Sequence, residues 1–255
     1  MKASMVSRLS AGEFLVGTWA KIASIETVEL IGHVGFDFAV IDMEHAPHSF
    51  QSAYSAIAHA QASGMAALIR APDRSGSAIQ RILDAGADGI LVPRVETADQ
   101  AAEATAAMAF PPVGHRGMGY TSRAARWGID TATEYLAHGR EHVLRAVQLE
   151  DVGSLEAIDA ILEAPALNGV FIGFGDLALS SGLPASHPTL RALETSVLAA
   201  AKAKGIPCGT AVQTPEEAAR CKQVGYAYCM ISADTSLFAK AAKALITDTR
   251  AALAG

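Results

Sequence analysis

The chain has 255 residues, of which 51% are hydrophobic and 18% charged, so it is long and apolar enough to form a large globular core. Its formal net charge is -6, and it has neither a block of like charges nor a basic stripe, which argues against nucleic acid and membrane surfaces as partners. No segment has the apolar run of a signal peptide or of a membrane span, so we expect a cytoplasmic protein. The cysteines, which form no C-x-x-C pair, are expected to be buried thiols.

Short apolar runs alternate along the chain with alanine-rich, amphipathic segments. Strands that are apolar on both faces and separated by helices pair in parallel through right-handed crossovers. About eight such units at this length predict an α/β protein with a single (β/α)8 TIM barrel, whose active site lies at the carboxyl ends of the strands. No linker divides the chain, so we expect one domain over residues 1–255. The predicted strands are 14–20, 38–45, 66–71, 89–95, 145–151, 169–176, 208–212 and 228–232.

One predicted connection is much longer than the others. Residues 110–140 are rich in Pro, Gly and Arg, and connections of this size in compact domains are usually functional or disordered. Because the segment follows the fourth predicted strand, we expect it to lie over the face where barrel enzymes form their active sites.

Polar side chains stand at or near the ends of four predicted strands. The carboxyl ends of all barrel strands meet at one rim, so we expect these side chains to converge. Glu150 and Asp176 follow neighbouring strands and offer the hard oxygen ligands that Mg²⁺ and Mn²⁺ prefer. Either carboxylate alone is more typical of a salt bridge or a helix cap, but the pair, beside an arginine and a histidine, favours a metal site. The polar residues of the rim are Glu44, His45, Arg70, Gln148, Glu150 and Asp176.

Asp84 has an unusual position in the predicted helix that follows the third strand. It falls in the last turn, where a negative charge opposes the helix dipole. A residue in that position can have a partner elsewhere in the fold. If Asp84 reaches His45, it would fix the tautomer of the imidazole and raise its basicity; otherwise its role is structural.

Five segments resemble the HpcH/HpaI class II pyruvate aldolases, which are metal-dependent enzymes of 2-keto-3-deoxy acid breakdown. The resemblance extends over nearly the whole chain, with the motifs in family order and spacing. It implies a (β/α)8 barrel, usually assembled as a hexamer of domain-swapped trimers, so the expected partner is a second copy in a hexamer or trimer. Where many relatives have "GPADLS", this chain has "GFGDLA". The matching segments are "FAVIDMEHAPHS", "RAPDRSGSAIQRILDAGADGILVPRVETADQA", "FPPVGHRGMG", "VQLEDVGSLEAIDAI" and "GVFIGFGDLALSSG".

The resemblance implies a reaction and three catalytic residues. A 4-hydroxy-2-oxo acid would bind a divalent metal ion, Mg²⁺, Mn²⁺ or Co²⁺, and break into an aldehyde and the enolate of pyruvate or hydroxypyruvate. His45 would be the base that takes the 4-hydroxyl proton, and Asp84 would support it. Arg70 would stabilise the developing enolate. The substrates are therefore expected to be a small 2-oxo acid and an aldehyde.

The same resemblance implies the binding residues. Glu150 and Asp176 would be the metal ligands, and Gln148 with the backbone around Gly175 would hold the substrate carboxylate. We assign Glu44 to the surroundings of the metal, where it could bond a metal-bound water. Asp42 is expected to be structural.

Three alternatives remain open at the level of sequence. A Schiff-base aldolase needs a lysine at a strand end, for which Lys21 is the candidate. A metal-dependent lyase of the phosphoenolpyruvate or CoA-ester barrel class is disfavoured because no Gly-rich phosphate cradle follows the late strands. A non-catalytic barrel has no need of the polar rim residues. For the aldehyde half of the substrate, the candidate contacts are Arg116, Arg123 and Arg126.

Overall fold

A computed structural model describes residues 3–254 of the chain. It contains a closed barrel of eight parallel strands in sequential order, which confirms the predicted fold. Every predicted strand is present, although several end before the polar residues that were assigned to them. The strands are β1 (Leu15–Ala20), β2 (Phe38–Asp42), β3 (Ala66–Arg70), β4 (Gly89–Val92), β5 (Leu144–Leu149), β6 (Gly169–Ile172), β7 (Cys208–Val212) and β8 (Tyr228–Ala233).

Helices follow the strands and surround the barrel. Most of them begin directly after a Ser, Thr or Asp whose side chain accepts a backbone N–H of the first turn, as Ser75 does from Ala78. A short 3-10 helix covers Arg123–Gly128. The α-helices are α1 (Met5–Ser10), α2 (Ile25–His33), α3 (Phe50–Ala62), α4 (Gly76–Asp84), α5 (Ala98–Met108), α6 (Ala132–Glu141), α7 (Val152–Glu156), α8 (Ile158–Ile161), α9 (Phe174–Ser181), α10 (Pro188–Ala203), α11 (Pro215–Val224) and α12 (Asp234–Ala254).

The alternation of side chains along each strand sets the position of the site. Along β2, Phe38 and Val40 belong to the cluster inside the barrel, whereas Ala39 and Ile41 pack toward the helices. Because side chains alternate with a period of two, Asp42 points inward at the mouth of the barrel. The β2–β3 register pairs Asp42 with Arg70, so Arg70 also faces the barrel axis there.

Glycines leave room for the large rings that fill the barrel. A Cβ atom at position 17 would lie 2.3 Å from the ring of Phe38, and one at position 209 would lie 2.1 Å from the ring of Tyr228. These distances are far below van der Waals contact, so only glycine fits beside either ring. The two rings contact each other edge to face, with centroids 6.0 Å apart. The interior below the mouth is therefore solid, and ligand access is confined to the rim.

The predicted position of the 110–140 segment is wrong within this chain. Helix α5 intervenes after β4 and returns the chain to the amino ends of the strands before the segment begins. There Arg123 donates hydrogen bonds to the backbone carbonyl of Ala85 and to the side chain of Gln61, both at the amino end of the barrel. The segment therefore packs at the face opposite the rim, and its arginines are not near the rim of their own chain.

The cysteines lie in the core, whereas the last helix lies outside it. Cys208, Cys221 and Cys229 are buried free thiols, as expected. Helix α12 leaves the barrel after β8, and nearly all its side chains are exposed, including the large apolar residues Phe238 and Leu245.

Between residues 3 and 254, no helix combines the length and the apolar character needed to cross a membrane.

Candidate active site

A cavity of about 650 Å³ opens at the carboxyl ends of the strands. It is lined by four of the predicted rim residues, His45, Arg70, Gln148 and Asp176, and by Gly175. The other two predicted rim residues, Glu44 and Glu150, are not among its lining residues. The cavity therefore brings together side chains that come from the ends of β2, β3, β5 and β6, as their position in a parallel barrel requires.

Asp42 and Arg70 form a buried ion pair at the mouth of the barrel. The Nε and Nη2 groups of Arg70 donate to the two carboxylate oxygens of Asp42 at 2.9 and 2.6 Å. Burial alone would raise the pKa of Asp42, but the hydrogen bonds and positive charge of Arg70 outweigh it and lower the pKa to about 2. The guanidinium also lies 4.4 Å from the ring centre of Trp19. Arg70 is thus held in one orientation while it lines the cavity.

Asp42 also fixes the turn that carries Glu44 and His45. Its Oδ1 accepts the backbone N–H groups of both residues at 3.1 Å. The Glu44 carboxylate is almost fully buried and lies 3.3 Å from Nη1 of Arg70. His45 is much more open, with 57% of its side chain exposed, and its Nε2 lies 3.8 Å from Oε2 of Glu44. Within one chain the carboxylate beside this imidazole is therefore Glu44.

Arg94 joins the two halves of the site, and sequence reasoning missed it. Its backbone N–H donates to Oε1 of Glu150 at 2.8 Å, while its guanidinium lies 3.0 Å from Oε1 of Glu44. The residue adopts a left-handed conformation with φ of 54°, which is rare for a residue with a side chain. The conformation directs the N–H of the loop after β4 toward Glu150. Nothing in the local sequence announces this conformation, because Arg has no preference for it.

Glu150 and Gln148 lie at the end of β5 and bond to each other. The Gln148 amide donates to Oε2 of Glu150, whose carboxylate is largely buried. Burial raises the pKa of Glu150, and the nearby negative charges of Asp176 and Glu44 raise it further, although its two hydrogen bonds oppose the shift. Gly173 makes room for the group, since a Cβ there would lie 3.2 Å from Oε2 of Glu150. The Glu150 carboxylate thus lies near two other negative charges and is held by the Gln148 amide and the Arg94 N–H.

The donor set around Glu150 fits a divalent cation. Oε1 of Gln148 is buried and has no hydrogen-bond partner within residues 3–254, a rare condition for a buried polar atom. Asp176, in the first turn of α9, lines the cavity beside it. Carboxylate and amide oxygens are the ligands that Mg²⁺ and Mn²⁺ prefer. No cluster of three or more His, Cys, Asp or Glu side chains with metal-binding geometry occurs in the described residues.

Asp84 does not meet His45 within this chain. It is the last residue of α4, which ends near the amino ends of the strands. The nearby Asp88 shows this, because it accepts the N–H of Ala67 at the amino end of β3. His45 follows the opposite, carboxyl end of β2. Oδ1 of Asp84 instead accepts hydrogen bonds from Arg116 at 2.8 Å and from the Tyr135 hydroxyl at 3.3 Å. The supporting role predicted for Asp84 therefore requires contact between two copies of the chain.

Lys21 also belongs to the site. Its Nζ lies 3.2 Å from Oδ2 of Asp42, so the ammonium of this lysine is ion-paired at the mouth of the barrel. A Schiff-base aldolase needs a lysine amine that is free to attack the substrate carbonyl, whereas the amine of Lys21 is occupied by its contact with Asp42. Asp42, which we expected to be structural, thus binds Lys21, Arg70 and the backbone of the next turn at once.

Comparison with known proteins identifies the family. The sequence profile of the HpcH/HpaI aldolase/citrate lyase family matches residues 15–241. The chain belongs to this family. It is 35% identical over 236 residues to the 2-keto-3-deoxy-L-rhamnonate aldolase of Klebsiella pneumoniae, with 91% of this chain and 88% of the relative covered. The resemblance drawn from its motifs is therefore confirmed.

Solved structures of the HpcH/HpaI family have the same fold. The protein from Burkholderia cenocepacia J2315 superposes with a TM-score of 0.89 and 31% identity, covering 96% of this chain and 98% of the other. The aldolase from Desulfitobacterium hafniense DCB-2 also reaches 0.89, with 26% identity and 96% of both chains covered. Because the curated relatives at this level of identity are aldolases, this protein is a carbon–carbon lyase of the aldolase type. The phosphoenolpyruvate or CoA-ester alternative is not favoured.

Proposed function

We propose that this aldolase depends on a divalent metal ion and cleaves or forms 4-hydroxy-2-oxo acids of the 2-keto-3-deoxy type. The products of cleavage are pyruvate or hydroxypyruvate and an aldehyde. The observation that carries the proposal is that an exposed imidazole, a fixed guanidinium and the carboxylate of Asp176 all line one cavity. The name of the Klebsiella relative supports a 2-keto-3-deoxy acid as the substrate class.

Glu150 and Asp176 would hold the metal, with the unpartnered amide oxygen of Gln148 beside them. Mg²⁺, Mn²⁺ and Co²⁺ all suit carboxylate ligands of this kind. A bound divalent cation would act as a Lewis acid toward the oxygens of the 2-oxo acid.

The first turn of α9 would bind the substrate carboxylate. The first N–H groups of a helix have no partner inside it and attract anions. Gly175 lies in this turn and lines the cavity, and a Cβ at that position would meet no atom within 4 Å. Space and donors therefore coincide next to Asp176. Gln148, which lines the same cavity, would complete the contact with the carboxylate.

His45 and Arg70 would carry out the proton transfer and the charge stabilisation. His45 takes the proton of the 4-hydroxyl group, and the imidazolium that forms lies close to the Glu44 carboxylate. The C3–C4 bond then breaks and the aldehyde leaves. The electron pair of the broken bond remains on the 2-oxo acid as an enolate. Arg70 is already locked by Asp42 and Glu44, so its charge needs no reorganisation as negative charge develops nearby.

Chelation and metal replacement test this proposal. After prolonged EDTA treatment, aldol addition of pyruvate or hydroxypyruvate to a panel of aldehydes should stop, and Mg²⁺, Mn²⁺ or Co²⁺ should restore it. Binding of Mn²⁺, followed by electron paramagnetic resonance, should be lost in Glu150→Gln and Asp176→Asn. Glu156→Gln, an exposed residue of α7, is the matched control. Full activity in exhaustively chelated protein would exclude the metal-dependent mechanism.

We also propose that the protein is a homo-oligomer, a trimer or a hexamer, in which α12 packs against a second copy. This helix makes its main contacts with β1 and β8 of its own chain, yet it exposes Leu237, Phe238, Leu245, Ile246 and Leu253. An apolar helix face of this extent is unfavourable in water. Light scattering coupled to size exclusion should give a mass three or six times that of the chain, and Phe238→Asp with Leu245→Asp should reduce it. A monomeric parent protein would contradict the assembly.

A further inference from the structure

The active-site cavity has a second wall that the proposed chemistry does not use. This wall belongs to α10 and α11, and two arginines, Arg191 and Arg220, line the cavity there with Glu194. The cavity volume of about 650 Å³ leaves room beyond the space that a three-carbon 2-oxo acid needs. This remaining space is available to the aldehyde half of the substrate.

Glu194 holds the two arginines in place. Only 4% of its side chain is exposed, and its carboxylate accepts hydrogen bonds from Arg191 at 2.9 Å, from Arg220 at 3.3 and 3.0 Å, and from the Tyr226 hydroxyl at 2.9 Å. Burial would raise the pKa of Glu194, but these donors outweigh it and lower the pKa. The Glu194 carboxylate therefore binds two guanidinium groups at once and fixes both of them at this point of the wall.

Phe174 sets the orientation of Arg191. The Cζ atom of Arg191 lies 4.6 Å from the centre of the Phe174 ring, a distance typical of a cation–π contact. Phe174 is the first residue of α9, two positions before Asp176, and it is one of the residues in which this chain departs from the "GPADLS" pattern. The departure thus places an aromatic platform for Arg191 in the same helical turn as the proposed metal ligand.

Arg191 keeps unused hydrogen-bonding capacity. Only its Nη1 group donates within the described part of the chain, so its Nε and Nη2 groups are available to a ligand. Glu217, another carboxylate that lines the cavity, accepts the backbone N–H of Gln213 at 2.7 Å at the start of α11. A fixed guanidinium with free donors in a partly desolvated wall is suited to carboxylate and phosphate groups.

We propose that Arg191 and Arg220 form an anion subsite that binds the terminal carboxylate or phosphate of the aldehyde. This inference rests on the proposed aldolase function and specifies its second substrate as an aldehyde with an anionic end. Arg191 makes the direct contact, and Glu194 and Phe174 position it.

Pairs of aldehydes that differ in terminal charge test the subsite. Aldol addition to pyruvate is measured with glyceraldehyde 3-phosphate against glyceraldehyde, and with 4-oxobutanoate against butanal. The wild-type protein should prefer the anionic member of at least one pair by about 10-fold or more in kcat/KM, and the pair with the larger ratio identifies phosphate or carboxylate as the group bound. Arg191→Gln should reduce that ratio by roughly 10-fold, because it removes charged hydrogen bonds to the anion.

Controls separate this inference from the aldolase proposal itself. Arg140→Gln, at an exposed position of α6, should leave the ratio unchanged. Arg191→Lys, which keeps the charge but loses the planar donor set, should give an intermediate ratio and serves if Arg191→Gln does not fold. Equal use of charged and uncharged aldehydes by the wild-type protein, or an equal loss with both in Arg191→Gln, would overturn the subsite. Failure with every aldehyde would instead count against the aldolase proposal.

Discussion

Two arginine–carboxylate pairs, each with a buried arginine, lie at opposite ends of the barrel and differ in what surrounds them. At the carboxyl end, Arg70 binds Asp42 through two hydrogen bonds and still lines the open cavity. At the amino end, Arg116 binds Asp84 at 2.8 Å, and its guanidinium lies 4.5 Å from the ring centre of Phe110. The first pair contacts a space that a substrate can enter, whereas aromatic side chains cover the guanidinium of the second.

This difference shows that an ion pair with a buried arginine does not by itself indicate a catalytic role. Both pairs are short, and both arginine side chains are less than one tenth exposed. The distinction lies in neighbours: Arg70 has His45, Glu44 and a cavity close by, whereas Arg116 packs among Phe110 and Tyr135. The pairs thus allow a matched test of catalytic and structural roles.

The largest expected effect comes from removing Arg70. Arg70→Ala should lower kcat/KM for aldol cleavage and for oxaloacetate decarboxylation by roughly 100-fold, because losing a preorganised cation costs about 3 kcal/mol whichever bond breaks. Arg116→Ala, the matched change at the other end, should lower the melting temperature and, because it frees Asp84, reduce the aldol rate by far less than Arg70→Ala does. Both rates and circular dichroism melts are measured at one metal concentration. Similar kinetic losses in the two variants would remove the proposed distinction.

The histidine at the cavity can be separated from the arginine beside it. His45→Ala should lose roughly 100-fold or more in aldol cleavage, the usual contribution of a general base. Oxaloacetate decarboxylation also passes through pyruvate enolate but has no hydroxyl proton to remove, so much of it should remain. Steady-state kinetics of the purified variant with both substrates provide the check. An equal loss of the two activities would mean that His45 acts on the enolate or supports the site, and that another group is the base.

The Asp42–Arg70 pair should also give a pH-dependent contribution to stability. The pKa of Asp42 is lowered to about 2 in the folded protein, below its ordinary value. A lowered pKa stabilises the fold above the unfolded-state pKa, near pH 4, and this stabilisation is lost as pH falls toward 2. At neutral pH, Asp42→Asn should therefore reduce the free energy of unfolding by about 2 kcal/mol. Urea titrations of both proteins from pH 6 to 2 should show this difference shrinking, and a constant difference would contradict it.

The smallest expected effect concerns Asp84. Asp84 and His45 lie at opposite ends of one barrel and therefore cannot meet within one chain. We propose that in the assembled protein Asp84 of one copy supports His45 of another. Asp84→Asn should then shift the acid limb of the pH–rate profile to lower pH, because it removes a negative charge beside the base, and it should reduce the plateau. Tyr135→Phe, which alters the same local contacts without removing the charge, is the matched control. An unshifted limb with a lower melting temperature would restrict Asp84 to binding Arg116.

The rim residues were predictable because barrel topology converts a position in the sequence into a position in space. Gln148 and Asp176 come at or just after apolar runs, and parallel strands bring the ends of such runs to one rim. The same argument gave the wrong position for the 110–140 segment. Helix α5 (Ala98–Met108) lies between the fourth strand and that segment. Because the helix runs back to the amino ends of the strands, the segment begins at the face opposite the rim.

The sequence by itself determined the barrel, the eight strands and the face that holds the chemistry, because these follow from the periodicity of apolar residues along the chain. Tertiary structure alone decided which charged groups meet. Asp42 and Arg70 are 28 residues apart, and Asp84 and Arg116 are 32 apart. The β2–β3 register brings the first pair together, and the packing of the 110–140 segment under α4 brings the second. The left-handed backbone of Arg94 and the contact of Phe174 with Arg191 could not be predicted from the neighbouring sequence. Both depend on residues that come from separate elements of the closed barrel.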